Sequence, residues 1–311
     1  MPKSYTKLFF YLSLFICLSI SFTQAAEVKV ISIPSKKMNK EISSTLILPD
    51  TYKDNDQRLP VLYLLHGAGD THKKWNSATT IAKLVDEYNI ICLCPDAGKT
   101  SWYFDSPIDP NYQYETFVSK ECVEYLDKNY RTKANRQYRA ICGLSMGGHG
   151  ALFLGTRHKD VFSTAISLSG GVDIRPFSNK WDIKKRLGDI KTHKENWEKL
   201  TVINIIKELK DNELSLSIDC GDKDFFLEAN RALHKQLQED GITHTYLEMP
   251  GKHNWDYWKK AIVRQMKFID KQFKKSPEGK KVGETVKKKE GKVKENKVKK
   301  ENDIKKEKIK K

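Results

Sequence analysis

The feature that most limits what this chain can fold into is a glycine-rich segment near its middle, residues 138–152, which reads YRAICGLSMGGHGAL. An apolar run leads into the pattern Gly-x-Ser-x-Gly at residues 143–147, and small residues then open a helical stretch. A strand, a sharp turn and a helix in this order form a nucleophile elbow, where the serine has a strained backbone and tolerates no bulky neighbours. Ser145 is therefore a candidate nucleophile. A glycine-rich turn without catalytic function is the alternative, and the rest of the chain decides between the two.

Apolar strands alternate with helical stretches along the remaining chain. Continuous apolar runs are typical of strands buried on both faces of a parallel sheet, and polar-apolar alternation is typical of half-exposed strands. Strands separated by helices predict an α/β fold with a doubly wound, mainly parallel sheet. Besides the run before Ser145, strands are predicted over 27–33, 43–48, 60–65, 90–94, 162–168, 214–218 and 244–247, and helices over 77–88, 114–128, 230–239 and 255–273.

A long insertion, residues 172–213, separates two of the predicted strands. It contains Trp181 and Trp197 and has apolar residues at helical spacing near its end. These features predict a small helical cap. The domain that includes this cap spans 26–273, which is long enough for one sizeable hydrophobic core.

The first 25 residues have the pattern of a secretory signal peptide. Lys3 and Lys7 precede an apolar run over residues 8–18, and the segment closes on Thr-Gln-Ala-Ala at residues 23–26. A basic start, a short apolar centre and a small-residue exit predict cleavage near Ala25 and export to the periplasm or the extracellular space. No membrane span is expected after cleavage. A retained membrane anchor is the alternative.

The other end, residues 274–311, is dominated by lysine and glutamate. The tail contains seventeen lysines and seven acidic residues, so it carries ten of the sixteen net positive charges of the chain. Its apolar surface is too small to offset the entropy of ordering the backbone, which predicts disorder or partial helix. The tail is a candidate for contact with an acidic surface, and a solvated tail without a partner is the alternative. The remaining domain has an ordinary charge balance, so no nucleic-acid partner is predicted.

Five cysteines remain after the leader. An odd number does not make a complete disulfide framework, and four of the five lie in or beside predicted core strands. We therefore expect mostly buried thiols, with one disulfide left open. Neither the cysteines nor the histidines have the spacing of a zinc site, so no metal and no cofactor are predicted. The five are Cys92, Cys94, Cys122, Cys142 and Cys220.

A base and an acid follow Ser145 at the ends of later predicted strands, where a parallel sheet delivers side chains to one edge. His253 lies between a Pro-Gly turn and the last helix, and it is the predicted general base because an unassisted hydroxyl is a poor nucleophile at neutral pH. Three carboxylates after residue 218 compete to orient it. Asp224 is favoured over Asp222 because it lies at the far side of the turn, and Asp219 belongs to the strand end.

Two main-chain amides are predicted to stabilise the oxyanion. One belongs to Met146, directly after the nucleophile, and the other to Ala68 in the loop after the first buried strand. His66, which closes that strand, is predicted to orient the loop. His149 is predicted to pack within the elbow helix.

Four motifs in order, spanning about residues 40–272, resemble the esterase D family of α/β-hydrolases. This resemblance implies the α/β-hydrolase fold and supports Ser145, Asp224 and His253 as a catalytic triad with an oxyanion hole at Ala68 and Met146. It also implies that Trp102, Tyr103 and Asp105 lie near the acyl or leaving-group pocket, although an aromatic loop packed on the sheet edge is the alternative. The motifs lie at residues 64–69, 101–107, 143–148 and 251–258.

The resemblance and the leader together predict an exported serine esterase that cleaves a carboxylic ester through an acyl-enzyme. Export argues against the glutathione-directed members of the family, which work in the cytosol, and favours acetyl or feruloyl groups on carbohydrate. An acyltransferase that passes the acyl group to a sugar or another alcohol is the second hypothesis. A non-catalytic binding protein on the same scaffold is the alternative from another class. The oligomeric state is left open.

Overall fold

One eight-stranded sheet forms the centre of the molecule in the computed structural model, which describes residues 25–275. The predicted leader over 1–25, except Ala25, and the predicted tail over 274–311, except Lys274 and Lys275, lie outside this range. The spatial order of the strands is β1-β2-β4-β3-β5-β6-β7-β8, and all strands from β3 onward run parallel. The strands are β1 Glu27–Ser35, β2 Lys40–Leu48, β3 Val61–Leu65, β4 Ile91–Pro95, β5 Arg139–Leu144, β6 Thr164–Leu168, β7 Ser215–Gly221 and β8 His244–Met249.

The first two strands pair antiparallel at one edge, and β2 continues antiparallel onto β4. The hairpin exposes alternate residues of β1, whereas β3 through β6 are buried along their whole length. This difference follows the two hydrophobic patterns in the sequence. The doubly wound, mainly parallel sheet of an α/β-hydrolase is therefore confirmed.

Helices cover both faces of the sheet. On one face α1, α2 and α10 form an apolar core with the strands, and on the other α4, α5, α9 and the insertion form a larger one. The helices are α1 Lys74–Ala78, α2 Ile81–Tyr88, α3 Tyr114–Thr116, α4 Cys122–Asn129, α5 Met146–Arg157, α6 Ile183–Leu187, α7 Lys194–Leu200, α8 Val202–Ile205, α9 Leu227–Glu239 and α10 Trp255–Lys274, with a π-helical turn at Phe117–Glu121 between α3 and α4.

The prediction of one helix over 77–88 is wrong, because the chain forms two helices in this region, α1 and α2. Thr79 is extended, and its hydroxyl donates to the carbonyl of Trp75 at 2.6 Å and accepts the N–H of Ile81 at 3.2 Å. A threonine side chain that bonds the local backbone competes with the helical ladder. The hydroxyl therefore ends α1 and starts α2.

The insertion at 172–213 contains α6, α7 and α8 together with short 3₁₀ turns. Trp197 is fully buried, and its indole N–H donates to the carbonyl of Gly188 at 3.0 Å. Val202 and Ile206 are also fully buried and belong to the core on the α5 side of the sheet. The insertion is thus packed onto the body of the domain.

All five cysteines of the described chain are buried free thiols. Cys92 and Cys94 are the pair with a sulfur contact, at 4.0 Å, which is far longer than a disulfide bond. Burial raises the pKa of the Cys92 and Cys122 thiols, so these groups stay protonated. Between residues 25 and 275 no helix has both the length and the apolar character that a membrane span needs.

Candidate active site

Ser145 occupies the turn between β5 and α5. Its backbone has φ 54° and ψ −116°, a conformation that L-residues rarely adopt and that is typical of strained functional positions. A Cβ atom on Gly143 would lie 2.3 Å from the carbonyl oxygen of Gly147, and one on Gly147 would lie 2.4 Å from the carbonyl oxygen of Leu65. Both glycines are therefore required by close backbone contacts, which explains the Gly-x-Ser-x-Gly pattern.

His253 lies in the loop between β8 and α10. Asn254 fixes the start of α10, because its side chain accepts the N–H of Tyr257 at 3.2 Å. The imidazole Nε2 lies 2.9 Å from the hydroxyl oxygen of Ser145, across 108 residues of sequence. Nδ1 lies 2.8 and 3.0 Å from the two carboxylate oxygens of Asp224. With Nδ1–H donating to the carboxylate, Nε2 is free to accept the serine proton.

The three candidate carboxylates have three different sets of partners. Asp224 faces His253, its side chain is fully buried, and Oδ1 also accepts the N–H of Phe226 at 2.8 Å. Asp222 instead accepts the N–H of Gly251 at 2.9 Å and so holds the loop that carries the histidine. Asp219 lies inside β7, where it is buried and bonded by Tyr257, Arg264 and Gln265 of α10. The structure thus brings together Ser145, His253 and Asp224.

The two predicted oxyanion donors belong to adjacent parallel strands. Ala68 follows β3 and Met146 follows β5, and these strands pair with Leu65 opposite Gly143. A Cβ atom on Gly67 would lie 3.5 Å from the Cβ of Ser145, so the β3 loop runs directly beside the nucleophile. The structure places both amides at the same edge of the sheet as the triad.

His66 holds the β3 loop in place. It is buried, its Nδ1–H donates to the carbonyl of Gly67 at 2.9 Å, and Nε2 accepts the N–H of Ala97 at 3.0 Å. Burial lowers the pKa of His66, which keeps the ring neutral and Nε2 available as an acceptor. The side chain therefore ties the loop after β3 to the loop after β4, as expected of a loop-orienting residue.

The three residues that the resemblance places near the pocket have different surroundings: Trp102 lies close to the rings beside the triad, whereas Tyr103 and Asp105 bond the main chain of the fold. Trp102 is buried, and its ring lies on one side of Gly171 while the ring of Phe226, which contacts His253, lies on another. A Cβ atom added to Gly171 would lie within 3.0 Å of both rings. Tyr103 is also buried, and its hydroxyl donates to the carbonyl of His66 at 3.0 Å. Asp105 accepts the N–H of Thr116 at 2.9 Å and so caps α3. The alternative of a loop packed on the sheet edge describes Tyr103 and Asp105.

Sequence patterns do not predict the aromatic wall beside the triad, which consists of the rings of Phe225, Phe226 and Trp181. Phe225 is 53% exposed, and its ring centroid lies 4.2 Å from that of His253 and 5.9 Å from that of Trp181, on which it stacks at 20°. Phe226 contacts Phe225, Trp181 and His253 with centroids at 4.6, 5.7 and 5.4 Å. The Phe-Phe pair directly after Asp224 is the signal that could have identified this wall.

His149 packs within the core behind the elbow. Its ring stacks on Phe153 at 5.6 Å and meets Trp102 and Phe104 edge-on, and Nδ1–H donates to the carbonyl of Gly171 at 3.1 Å. Nε2 is buried without a hydrogen-bond partner in the described part of the chain. Burial lowers the pKa of His149 to about 4.

This buried histidine predicts a loss of stability in acid. Below pH 6.5 the unfolded chain binds a proton that folded His149 takes up only near pH 4, so the free energy of unfolding falls across that window. The loss amounts to roughly 3 kcal/mol at most. We expect His149→Phe to flatten the decline measured by urea unfolding between pH 6.5 and 4. An unchanged slope would contradict this, and replacing exposed His193 with asparagine is the control.

The arrangement supports nucleophilic chemistry at Ser145. The imidazole touches both the hydroxyl and a buried carboxylate, which is the geometry of a base oriented by a third group. Within residues 25–275 no group of three histidine, cysteine or acidic side chains is arranged to hold a metal ion.

Comparison with known proteins agrees with this chemistry. Residues 35–269 match the profile of the Esterase family, which is described as "Putative esterase". An acetyl esterase from Caldicellulosiruptor saccharolyticus is 28% identical over 260 residues, which cover 78% of this chain and 97% of that protein. A diacylglycerol acyltransferase/mycolyltransferase from Mycobacterium gordonae is 27% identical over 278 residues, covering 77% and 79%.

Solved structures show the same relationship. A ferulic acid esterase is 28% identical and superposes with a TM-score of 0.70, covering 80% of this chain and 99% of that chain. The resemblance inferred from the four motifs is thereby confirmed. The profile match extends over most of the chain, and the named relatives are ester-cleaving or acyl-transferring proteins. This chain therefore belongs to the Esterase family and is a serine carboxylic ester hydrolase.

Proposed function

We propose that Ser145, His253 and Asp224 form the catalytic triad of an exported esterase that removes acyl groups from carbohydrate. The observation that supports it most directly is the continuous contact from the Asp224 carboxylate through the His253 ring to the Ser145 hydroxyl, at 2.8 and 2.9 Å. His253 takes the serine proton as the oxygen attacks the ester carbonyl and returns it to the leaving alcohol.

The amides of Ala68 and Met146 stabilise the negative oxygen of the tetrahedral intermediate. Their positions at the ends of β3 and β5 support this assignment, because the negative charge develops on the oxygen of the attacked carbonyl, next to the Ser145 side chain. The buried Asp224 carboxylate keeps the imidazole in one tautomer and stabilises its protonated form. Water then attacks the acyl-enzyme with the same histidine as base.

An acyl group of feruloyl type fits the aromatic wall better than a small acyl group does. Phe225 leaves about half of its ring exposed next to His253, and Trp181 continues the same surface. A planar acyl group can stack on such rings, and an aromatic pair is worth about 0.5 to 1.5 kcal/mol beyond area burial. The likeness to a ferulic acid esterase supports this preference.

Removing the exposed ring tests the acyl preference. We expect Phe225→Ala to raise KM for a feruloyl ester by about tenfold, which corresponds to the upper end of an aromatic pair, because the stacking surface is lost. KM for an acetyl ester should change by less than about twofold, and Phe225→Tyr should restore feruloyl binding. Steady-state kinetics on both esters measures the effect. Equal changes for the two esters would contradict the proposed role of the ring.

Transfer of the acyl group to a sugar is the second candidate function, and the relative named as an acyltransferase supports it. The same acyl-enzyme serves both reactions, so the acceptor decides the outcome. Hydrolysis is favoured here because the acetyl esterase is matched over nearly its whole length. Measuring the partition of product between free acid and sugar ester, with a sugar acceptor present, separates the two functions.

Export rests on the leader pattern over residues 1–25, and a polysaccharide substrate is consistent with that location. The lysine-rich tail over 274–311 then offers a positively charged segment that contacts an acidic surface outside the cytoplasm.

A further inference from the structure

Ala26, near the start of the described chain, is hydrogen-bonded to the domain and packs against it. Its main-chain N–H donates to Oδ2 of Asp86 in α2 at 2.8 Å, and its methyl group packs against the core on the α10 face. The other oxygen of the same carboxylate accepts the N–H of Asp50 at 2.8 Å. Ala25, one residue earlier, is exposed. Within the described range of 25–275, Ala26 is therefore where the chain first packs against the domain.

Among residues 25–275, neither Asp86 nor Asp50 forms an ion pair with a lysine, arginine or histidine side chain. The nearby lysines, Lys29 and Lys53, pair instead with Glu27, at 3.5 and 3.6 Å. Oδ1 of Asp50 is buried and has no hydrogen-bond partner among residues 25–275. Burial raises the pKa of Asp50, the carboxylates of Asp54 and Asp86 raise it further, and the ammonium group of Lys53 lowers it in part. A positive group on the Ala26 nitrogen would pair with the Asp86 carboxylate, whose other oxygen accepts the main-chain N–H of Asp50.

The sequence before Ala26 is compatible with cleavage at only one of two adjacent bonds. Signal cleavage requires small residues one and three positions before the cut. A cut after Ala25 meets this rule with Thr23 in the third position, whereas a cut after Ala26 would place Gln24 there. The second cut would also remove the residue that contacts Asp86.

We propose that hydrolysis of the Ala25–Ala26 bond creates a ligand for this acidic site, in which the new α-ammonium group of Ala26 forms an ion pair with Asp86 beside Asp50. Water supplies the second oxygen of the Ala25 carboxylate and the two hydrogens added to the peptide nitrogen, so the products at neutral pH are a carboxylate and an ammonium group. The ammonium has three N–H donors where the peptide nitrogen had one. The inference rests on the proposed export but on no catalytic residue.

Two chain starts combined with two carboxylate variants test the ion pair. Purified proteins begin either at Ala26 or at Thr23, each with Asp86 intact or with Asp86→Asn, and Glu87→Gln on the exposed side of α2 is the matched control. We expect the protein starting at Ala26 to unfold about 2 to 4 °C above the one starting at Thr23. The difference should disappear with Asp86→Asn and persist with Glu87→Gln. Equal unfolding temperatures, or a difference that persists in Asp86→Asn, would overturn the ion pair.

The cleavage position is read from the intact mass of the exported protein, expressed with its own leader. A mass that begins at Ala26 supports the inference. A mass that begins at another residue overturns it while export stands, and an uncleaved chain overturns export as well. Ester hydrolysis is measured on every variant and should stay within about twofold of the unaltered protein, because the site lies on α2, away from the triad. Loss of hydrolysis in all proteins would instead count against the proposed esterase mechanism.

Discussion

Replacing Ser145 with alanine is expected to lower kcat/KM for ester hydrolysis by roughly 10⁴- to 10⁶-fold, because the attacking oxygen is lost and triad members act as a unit. His253→Ala should have a loss of similar size, since its Nε2 is the group that contacts the serine hydroxyl at 2.9 Å. The double variant should be little worse than either single one. Steady-state kinetics with an activated ester and labelling by a fluorophosphonate probe measure the two effects.

Ser169→Ala is the matched control for this prediction. Ser169 is also a buried serine with positive φ, directly after β6, but no histidine between residues 25 and 275 hydrogen-bonds to its hydroxyl. It should keep probe labelling and most of its activity. Near-normal hydrolysis by Ser145→Ala would remove the nucleophile assignment. Absence of labelling in the unaltered protein would instead favour the non-catalytic binding protein.

Replacing Asp224 with asparagine is expected to lower kcat by about 10⁴-fold, because an amide in place of the carboxylate favours the wrong tautomer of the oriented imidazole. Asp222→Asn should cost less than about tenfold. Its carboxylate accepts only the N–H of Gly251 in the contacts seen here, and an asparagine oxygen can accept that same bond. The effect of Asp222 on the histidine is therefore one of loop position.

The ranking of these two variants separates the candidate acids. Activity against pH distinguishes a positioning effect from loss of the acid, since only Asp224→Asn removes the group that stabilises protonated His253. Thermal unfolding of both variants checks that they fold. A larger loss in Asp222→Asn than in Asp224→Asn would transfer the orienting role to Asp222.

The fold and the order of the site residues could be predicted from the sequence because their signals are local. The strand, turn and glycines around Ser145 lie within fifteen residues. The contact that requires Gly143 is made with the carbonyl of Gly147 in the same elbow. Continuous apolar runs also predict the buried strands. Since parallel strands end at one edge, residues following β5, β7 and β8 had to converge there.

Other features depended on contacts between distant segments. Thr79 divides a predicted helix through two hydroxyl bonds, a detail that helical periodicity does not contain. The aromatic wall combines Phe225 from the β7 loop with Trp181 from the insertion, 44 positions apart, and neither shows a pocket by itself. The resemblance assigns Asp105 to the pocket, whereas its carboxylate oxygens accept the N–H and the hydroxyl of Thr116, the last residue of α3.

The sequence by itself determined the α/β scaffold, the Gly-x-Ser-x-Gly turn at Ser145 and the position of His253 after the last strand, because periodicity and turn chemistry depend on residues that are close together in the chain. Only the tertiary structure decided that Asp224 rather than Asp219 or Asp222 faces His253. All three carboxylates lie within six residues, and their directions depend on whether α10, the β8 loop or the imidazole packs against them. Such partners are brought together by packing across the sheet, which no local pattern specifies.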